Sequence, residues 1–197
     1  MTGIGMTGIG GQGSLESGAV ELRPWRPDDA DALLDAVAQS PDLDTQLPVA
    51  ELTSRQRAEQ VIADALGCGE HWRNWAVVVA GAAVGNVGLS HIEHRHDTAW
   101  TSYWLSGAAR GRGLAHRALA GVAAWAFDEL GLFRLELGHR VNNPASCAVA
   151  RRAGFVAEGV ERAKLRYGDQ RFDVETHARL ASDPAPDVVP VPVRGVR

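Results

Sequence analysis

The densest chemical signal in this 197-residue chain is the run Arg110, Gly111, Arg112, Gly113, Leu114 and Ala115. It follows a strand-like stretch ending at Trp104-Leu105-Ser106. It precedes a helical pattern in which Leu119, Val122, Ala123, Ala126, Phe127 and Leu130 share one face. A helix N-terminus leaves backbone N–H groups unpaired and carries a partial positive charge. Glycines just before it let those amides converge without interference from a Cβ. Such a turn suits a phosphate, and Arg110 and Arg112 would add positive charge at its rim. A tight strand-to-helix turn with solvated arginines has the same composition, so the segment alone leaves both readings open.

The type of phosphate ligand can be narrowed. A nucleotide P-loop needs Lys and then Ser or Thr after its last glycine, but Leu114 follows Gly113 and the single lysine is Lys164. A dinucleotide fingerprint places its third glycine where His116 stands, although Glu136 lies near the position of a ribose-binding acid. That unit would also come late, after a run of antiparallel strands. Asn143 has the position and chemistry of a helix N-cap. His91, His94 and His96 alternate along one stretch without a matching carboxylate cluster, so no metal is expected.

The elements that position these residues follow from periodicity. Residues 19–25 read as a strand and 26–40 as a helix opened by Pro27 and aspartates. Thr53 or Ser54 caps a second helix through residue 67. Residues 74–81 and 82–93 pair as a hairpin across Gly81-Ala82, and 99–106 continues the meander. The helix after Gly113, a strand at 132–140, a short helix ending at Gly154 and a hairpin around residues 167–170 close the order β α α β β β α β α β β. The fold class is α/β with a mixed sheet. Residues 1–13 read as a disordered leader and 19–180 as the domain. The Pro- and Val-rich residues 183–197 read as a disordered tail, dispensable unless it packs across a second subunit in a homodimer.

Composition narrows the function classes. The net charge of −4 argues against a general nucleic-acid binder. No apolar run reaches the ~18 residues of a membrane helix, and no secretory signal opens the chain, so a cytoplasmic location is expected. Cys68 and Cys147 form no disulfide framework. Residues 1–107 hold 6 arginines against 14 acids, whereas 108–180 hold 12 basic residues against 8 acids. The basic half thus begins near the Arg-Gly run, where a polyanion would be favoured. Asp42, Asp44 and Glu51 belong to the acidic half, which would attract a cation.

Arg110-Gly111-Arg112-Gly113-Leu114-Ala115 resembles the Arg/Gln-x-x-Gly-x-Gly/Ala signature of the GNAT N-acetyltransferases. Asn143-Pro144-Ala145-Ser146 and Gly154-Phe155-Val156-Ala157-Glu158-Gly159 resemble the branch that acetylates ribosomal-protein N-termini (RimJ/RimL-like). The resemblance runs over about residues 19–180 and is weakest before residue 75. It implies a GNAT fold in which the strand ending at Trp104-Leu105 splays from the strand ending near His139. Pantetheine would lie in the gap, bonded to the backbone of Trp104, Leu105 and Ser106, and the pyrophosphate would sit on Gly111 to Ala115. Asn143 would touch the pantetheine.

The implied activity is direct transfer of an acyl group from acetyl-CoA to a primary amine, either a protein N-terminus or a small and cationic amine. Ser146 would protonate the leaving thiolate. Leu165 stands where this branch often carries an acid, so the base is sought at Glu136 first, then Glu93 and His139, with a water chain as the alternative. The rival expectations are a catalytically silent CoA-binding module and an acyltransferase using succinyl-CoA or another acyl-CoA.

Overall fold

The structure, a computed structural model, describes residues 20–195. The expected leader at residues 1–13 lies outside them. The main elements are β1 (Val20–Arg23), α1 (Ala30–Ala38), α2 (Arg55–Ala65), β2 (Arg73–Val79), β3 (Ala82–Glu93), β4 (Thr98–Leu105), α3 (Leu114–Glu129), β5 (Arg134–Arg140), α4 (Pro144–Arg152), β6 (Val156–Tyr167) and β7 (Gln170–Leu180). Their order is the one expected from periodicity. Short 3-10 turns at Pro41–Thr45 and Val49–Glu51 fill the link between α1 and α2. No helix among the described residues is long and apolar enough to cross a membrane.

The strands form one seven-stranded sheet in the order β1-β2-β3-β4-β5-β7-β6. All neighbours are antiparallel except β4 and β5, which α3 connects. Both faces of the sheet are covered. Trp75, Val77, Val87 and Leu89 face the cluster that holds Leu119, Val122 and Ala126 of α3. Ala76, Val78 and Trp104 face the cluster that holds Leu33 of α1 and Ile62 of α2. This explains why β2 reads as a continuous apolar run rather than an alternating one. Ser54, not Thr53, caps α2, its side chain accepting from the Arg57 amide at 3.3 Å. The β2–β3 turn is Ala80-Gly81, one residue earlier than expected. Both residues have positive φ, 50° and 86°, as a two-residue hairpin of the favoured twist requires.

The C-terminal segment departs from the expectation of disorder. Within the described part, Val191 is buried and its amide donates to the Arg117 carbonyl at 3.0 Å, while Arg117 Nε donates to the Val189 carbonyl at 3.0 Å. The chain then runs beside β1: the Leu22 amide donates to the Pro192 carbonyl at 2.9 Å and the Arg194 amide to the Leu22 carbonyl at 2.7 Å. Proline removes donors at alternate positions, but Val191 and Arg194 keep theirs, and those are the two that bond. A cut-out in α3 admits the segment, since a Cβ on Gly121 would stand 2.2 Å from the Val191 carbonyl oxygen.

Candidate active site

β4 and β5 pair only at their beginnings, Thr98 with Arg134, Ala99 with Leu135 and Trp100 with Glu136. At the fork, Thr101 Oγ1 donates to the Glu136 carbonyl at 3.1 Å. Beyond it the strands diverge, while β4 stays paired to β3 through Leu105. The splay expected from the resemblance is therefore present.

Of the three backbone positions expected to face the gap, Leu105 does so, while Trp104 and Ser106 do not. Bonding residues alternate along an antiparallel ladder. The Ser106 amide donates to the Val84 carbonyl at 2.8 Å, and the Trp104 carbonyl lies against Gly85 of β3. Trp104 and Ser106 thus bond toward β3, leaving Tyr103 and Leu105 to face the gap. The Leu105 carbonyl already accepts from Arg110 Nε at 3.0 Å.

After β4 the chain makes a short turn at Gly107–Ala109 and reaches Gly111 (φ 73°) and Gly113 (φ 74°), the N-cap of α3. Both glycines are in the left-handed region, which costs any L residue with a Cβ roughly 1–2 kcal/mol. Gly113 has no side chain with which to cap, so the first amides of α3 are presented to the cleft. Arg110 does not stand free at the rim. Its guanidinium pairs with both Asp42 oxygens, at 2.9 and 3.2 Å, and so ties the loop to the turn after α1. A second tie runs from the Gly107 amide to Oγ of the buried Ser40 at 2.8 Å. Arg112 is exposed.

These elements enclose a cleft of about 420 Å³, lined by Tyr103, Leu105, the Gly111 and Gly113–Ala115 loop, His116, Asn143, Ser146 and Arg152. Asn143 acts as expected of a cap, its Oδ1 accepting from the Ser146 amide at 3.1 Å. Ser146 Oγ lies 3.1 Å from the Tyr103 hydroxyl, which also reaches the Ser146 carbonyl at 3.2 Å. Burial raises the Tyr103 phenol above its ordinary range, the hydrogen bond with Ser146 lowers it, and Cys147 raises it further; the net direction is up. Tyr103 was not singled out in the sequence, although its place just before Trp104-Leu105, where the splay opens, was the signal to look for. His116 is lowered by burial first and then by Arg152 and Arg117.

The structure does not bring the expected bases to Ser146. Glu136 Oε1 accepts from Arg134 Nε at 2.6 Å, and Arg134 also grips Glu158 at 2.5 and 3.0 Å. That triad occupies Glu136, which does not line the cleft. Glu93 closes the β3–β4 turn by accepting from the Arg95 and His96 amides at 2.5 and 3.0 Å, at the opposite end of β4 from the cleft. His139 is buried against His177 and does not line the cleft either. Asp42 lines it but is paired, and Glu51 pairs with Arg57 at 3.4 Å.

Comparison with known proteins agrees with this geometry. A model of the acetyltransferase (GNAT) domain matches residues 19–156. The ribosomal-protein-serine acetyltransferase of Escherichia coli is 32% identical over 97 residues, covering 49% of this chain and 54% of that protein. A probable N-acetyltransferase of Bacillus subtilis, YjcK, is 36% identical over 101 residues, covering 51% and 56%. The matched region thus spans about half the length of these curated relatives. Among solved structures, the RimL ribosomal L7/L12 alpha-N-protein acetyltransferase in complex with coenzyme A superposes with a TM-score of 0.74 at 23% identity, covering 82% of this chain and 94% of that one. Mycobacterium smegmatis RimJ, in complex with CoA-disulfide, gives 0.72 at 24%, covering 83% of each chain. The chain belongs to the GNAT acetyltransferase family.

Proposed function

We propose that this protein transfers the acetyl group of acetyl-CoA to a primary amine, with a protein N-terminus as the preferred acceptor class. One observation carries the reading. The gap between β4 and β5 opens directly onto a glycine-led helix N-terminus, and the Tyr103–Ser146 pair lines the same cleft. The amides at the start of α3 hold the pyrophosphate. The pantetheine arm runs along the Tyr103 and Leu105 edge of β4.

In the chemical step the amine nitrogen attacks the thioester carbonyl. An N–C bond forms, the C–S bond breaks, and the departing thiolate takes a proton from the Tyr103–Ser146 pair. The raised phenol keeps its proton until the sulfur leaves. Among the cleft-lining residues, Asp42 is ion-paired and His116 sits at the pyrophosphate end. The ammonium proton therefore leaves through water before attack, and the proton that the nitrogen loses as the amide forms restores the Tyr103–Ser146 pair through water. The names of the relatives support a ribosomal N-terminus as acceptor. A cationic amine is the second acceptor class, supported by the acidic first half of the chain.

The test is turnover: acetyl-CoA or succinyl-CoA with N-terminal peptides and small amines, read by thiol release. Peptide-dependent release with acetyl-CoA is the expected result. Coenzyme binding without release for any acceptor would favour a silent binding module, the reading suggested by Leu165 and by the engagement of Glu136 with Arg134.

A further inference from the structure

Behind the cleft, on the other side of the first turn of α4, four chemically different donors converge. His139 of β5 stands opposite Glu175 of β7 in the antiparallel register, and His177 lies two residues beyond Glu175 on the same face. Cys147, next in sequence to Ser146, reaches the same point from α4. His139 Nε2 is 3.0 Å from His177 Nε2. Glu175 Oε2 is 2.9 Å from His177 Nε2, 3.3 Å from His139 Nε2 and 3.3 Å from Cys147 Sγ. All four ligand atoms lie within 4.8 Å of one another.

We propose that His139, Cys147, Glu175 and His177 form a structural site for a zinc-like divalent transition-metal ion. Ligands at the usual zinc bond lengths of ~2.0–2.3 Å occupy a tetrahedron whose edges are about 3.3–3.8 Å. Four of the six separations, 2.9–3.3 Å, need small outward movements to admit an ion, and the two from Cys147 Sγ to the imidazoles, within 4.8 Å, need the thiol to move inward. Two imidazoles, a thiolate and a carboxylate are a donor set suited to zinc, and two negative ligands balance the charge of a divalent ion.

Of the two imidazoles, His139 has the outer hydrogen-bond partner that a metal ligand needs. His139 Nδ1 is 3.0 Å from the Arg140 carbonyl, so it carries the proton and leaves Nε2 with its lone pair aimed into the cluster. His177 is 1% exposed and its Nδ1 finds no partner, so all its polar contacts are in the cluster. Without an ion, two buried imidazole nitrogens face each other and share one carboxylate oxygen. An ion gives each of them a bond.

Because all four positions are filled by the protein, the site is closed rather than catalytic. Its consequence is mechanical. It ties β5, β7 and the first turn of α4, the turn that carries Asn143 and Ser146, into one unit. His91, His94 and His96 do not join this cluster.

The experiment adds Zn²⁺ or Co²⁺ alone to the full reduced chain after chelator treatment. Expected are one equivalent of metal per chain, a higher melting temperature with Zn²⁺, and a Co²⁺ spectrum with tetrahedral d–d bands and a thiolate charge-transfer band. Cys147→Ser should remove the charge-transfer band, whereas Cys68→Ser should leave it. His177→Gln should weaken metal affinity beyond the roughly 10–100-fold loss typical of an outer-shell partner. Retained coenzyme A binding and circular dichroism check that each variant is folded. A Co²⁺ spectrum that stays octahedral in the wild type, with no Zn²⁺-dependent rise in melting temperature, overturns the proposal. So does a charge-transfer band that survives Cys147→Ser. The metal stoichiometry, the melting temperature, the Co²⁺ spectrum and circular dichroism do not depend on the acetyl-transfer reading.

Discussion

The Tyr103 hydroxyl and Ser146 Oγ face each other at 3.1 Å across the gap where β4 leaves β5. One group comes from the strand whose edge borders the gap and the other from the first turn of α4. Under the proposed function, a proton held between them serves the sulfur that a thioester in the gap would release. Either hydroxyl alone can still donate, so the two act as a unit.

Tyr103→Phe and Ser146→Ala should therefore each lower kcat, with coenzyme A affinity nearly unchanged. A positioned general acid contributes about 10²–10⁴-fold, and the double variant should fall within that range. Its loss should be smaller than the product of the two single losses, because each single removes part of one shared donor. The assay is steady-state thiol release, with calorimetry for coenzyme binding. A double variant as active as wild type would remove the pair from the mechanism.

The glycine loop can be tested through its backbone. A Cβ at Gly111 meets nothing within 4 Å, so Gly111→Ala tests φ strain alone, about 1–2 kcal/mol. Gly113→Pro is harsher, since proline fixes φ near −65° and the native value is 74°. Gly113→Pro should lose coenzyme A binding while the sheet still melts cooperatively, and Gly111→Ala should weaken binding only several-fold. Isothermal calorimetry and a thermal melt on each variant decide the matter.

The ties from the α1 side to this loop carry a further expectation. Asp42→Asn removes an exposed pair of the kind worth about 0–1 kcal/mol, so coenzyme affinity should fall up to about fivefold. Ser40→Ala removes the acceptor of the Gly107 amide in a part-buried bond, at a cost of roughly 0.5–1.5 kcal/mol. Melting temperature should drop more for Ser40→Ala, and the Michaelis constant for acetyl-CoA should rise in both. If only the constant for the amine moved, Asp42 would belong to the acceptor wall instead.

Removing residues 183–197 should destabilise the protein. Val191 alone accounts for roughly 1.5–3 kcal/mol of apolar burial, or about 3–12 °C of melting temperature for a domain of this size. Gly121→Ala should act in the same direction by pushing the Val191 carbonyl away. A melt unchanged by truncation would return this segment to the status of a tail.

Parts of the molecule follow from its sequence by local rules and other parts do not. Elements with a strong period, such as the apolar face of α3 and the capped start of α4, follow from local rules. The glycine loop follows too, because its function needs particular backbone angles. The C-terminal contact was hidden because its partner is a missing side chain: nothing near Val191 announces that Gly121 leaves it room. Glu136 looked like a base only while Arg134 and Glu158 were not known to converge on it across the sheet. The four-donor cluster depends on the β5–β7 register, which sets His139 against Glu175 and which spacing along the chain does not reveal.

The last expectation concerns pH and His116. Its imidazole lines the cleft beside Gly113, where a Cβ would lie 3.1 Å from the ring. Burial, then Arg152 and Arg117, hold its pKa below the ordinary value of about 6.5 in the free protein. With the folded value depressed, this group's contribution to stability is present above the unfolded pKa and is lost as pH falls through that value toward the folded one. A bound pyrophosphate reverses the local field and favours the imidazolium, so the bound-state pKa is higher than the free-state one. Coenzyme binding should then take up part of a proton between those two values, and this term should strengthen affinity as pH falls through that window. The 3′-phosphate of the coenzyme titrates in the same region, near pH 6, so the informative quantity is wild type minus His116→Gln. Calorimetry in two buffers of different ionisation enthalpy should show extra proton uptake in the wild type that the variant lacks. Equal uptake in both would mean that the pyrophosphate lies out of reach of His116, and the coenzyme would have to be moved along the cleft.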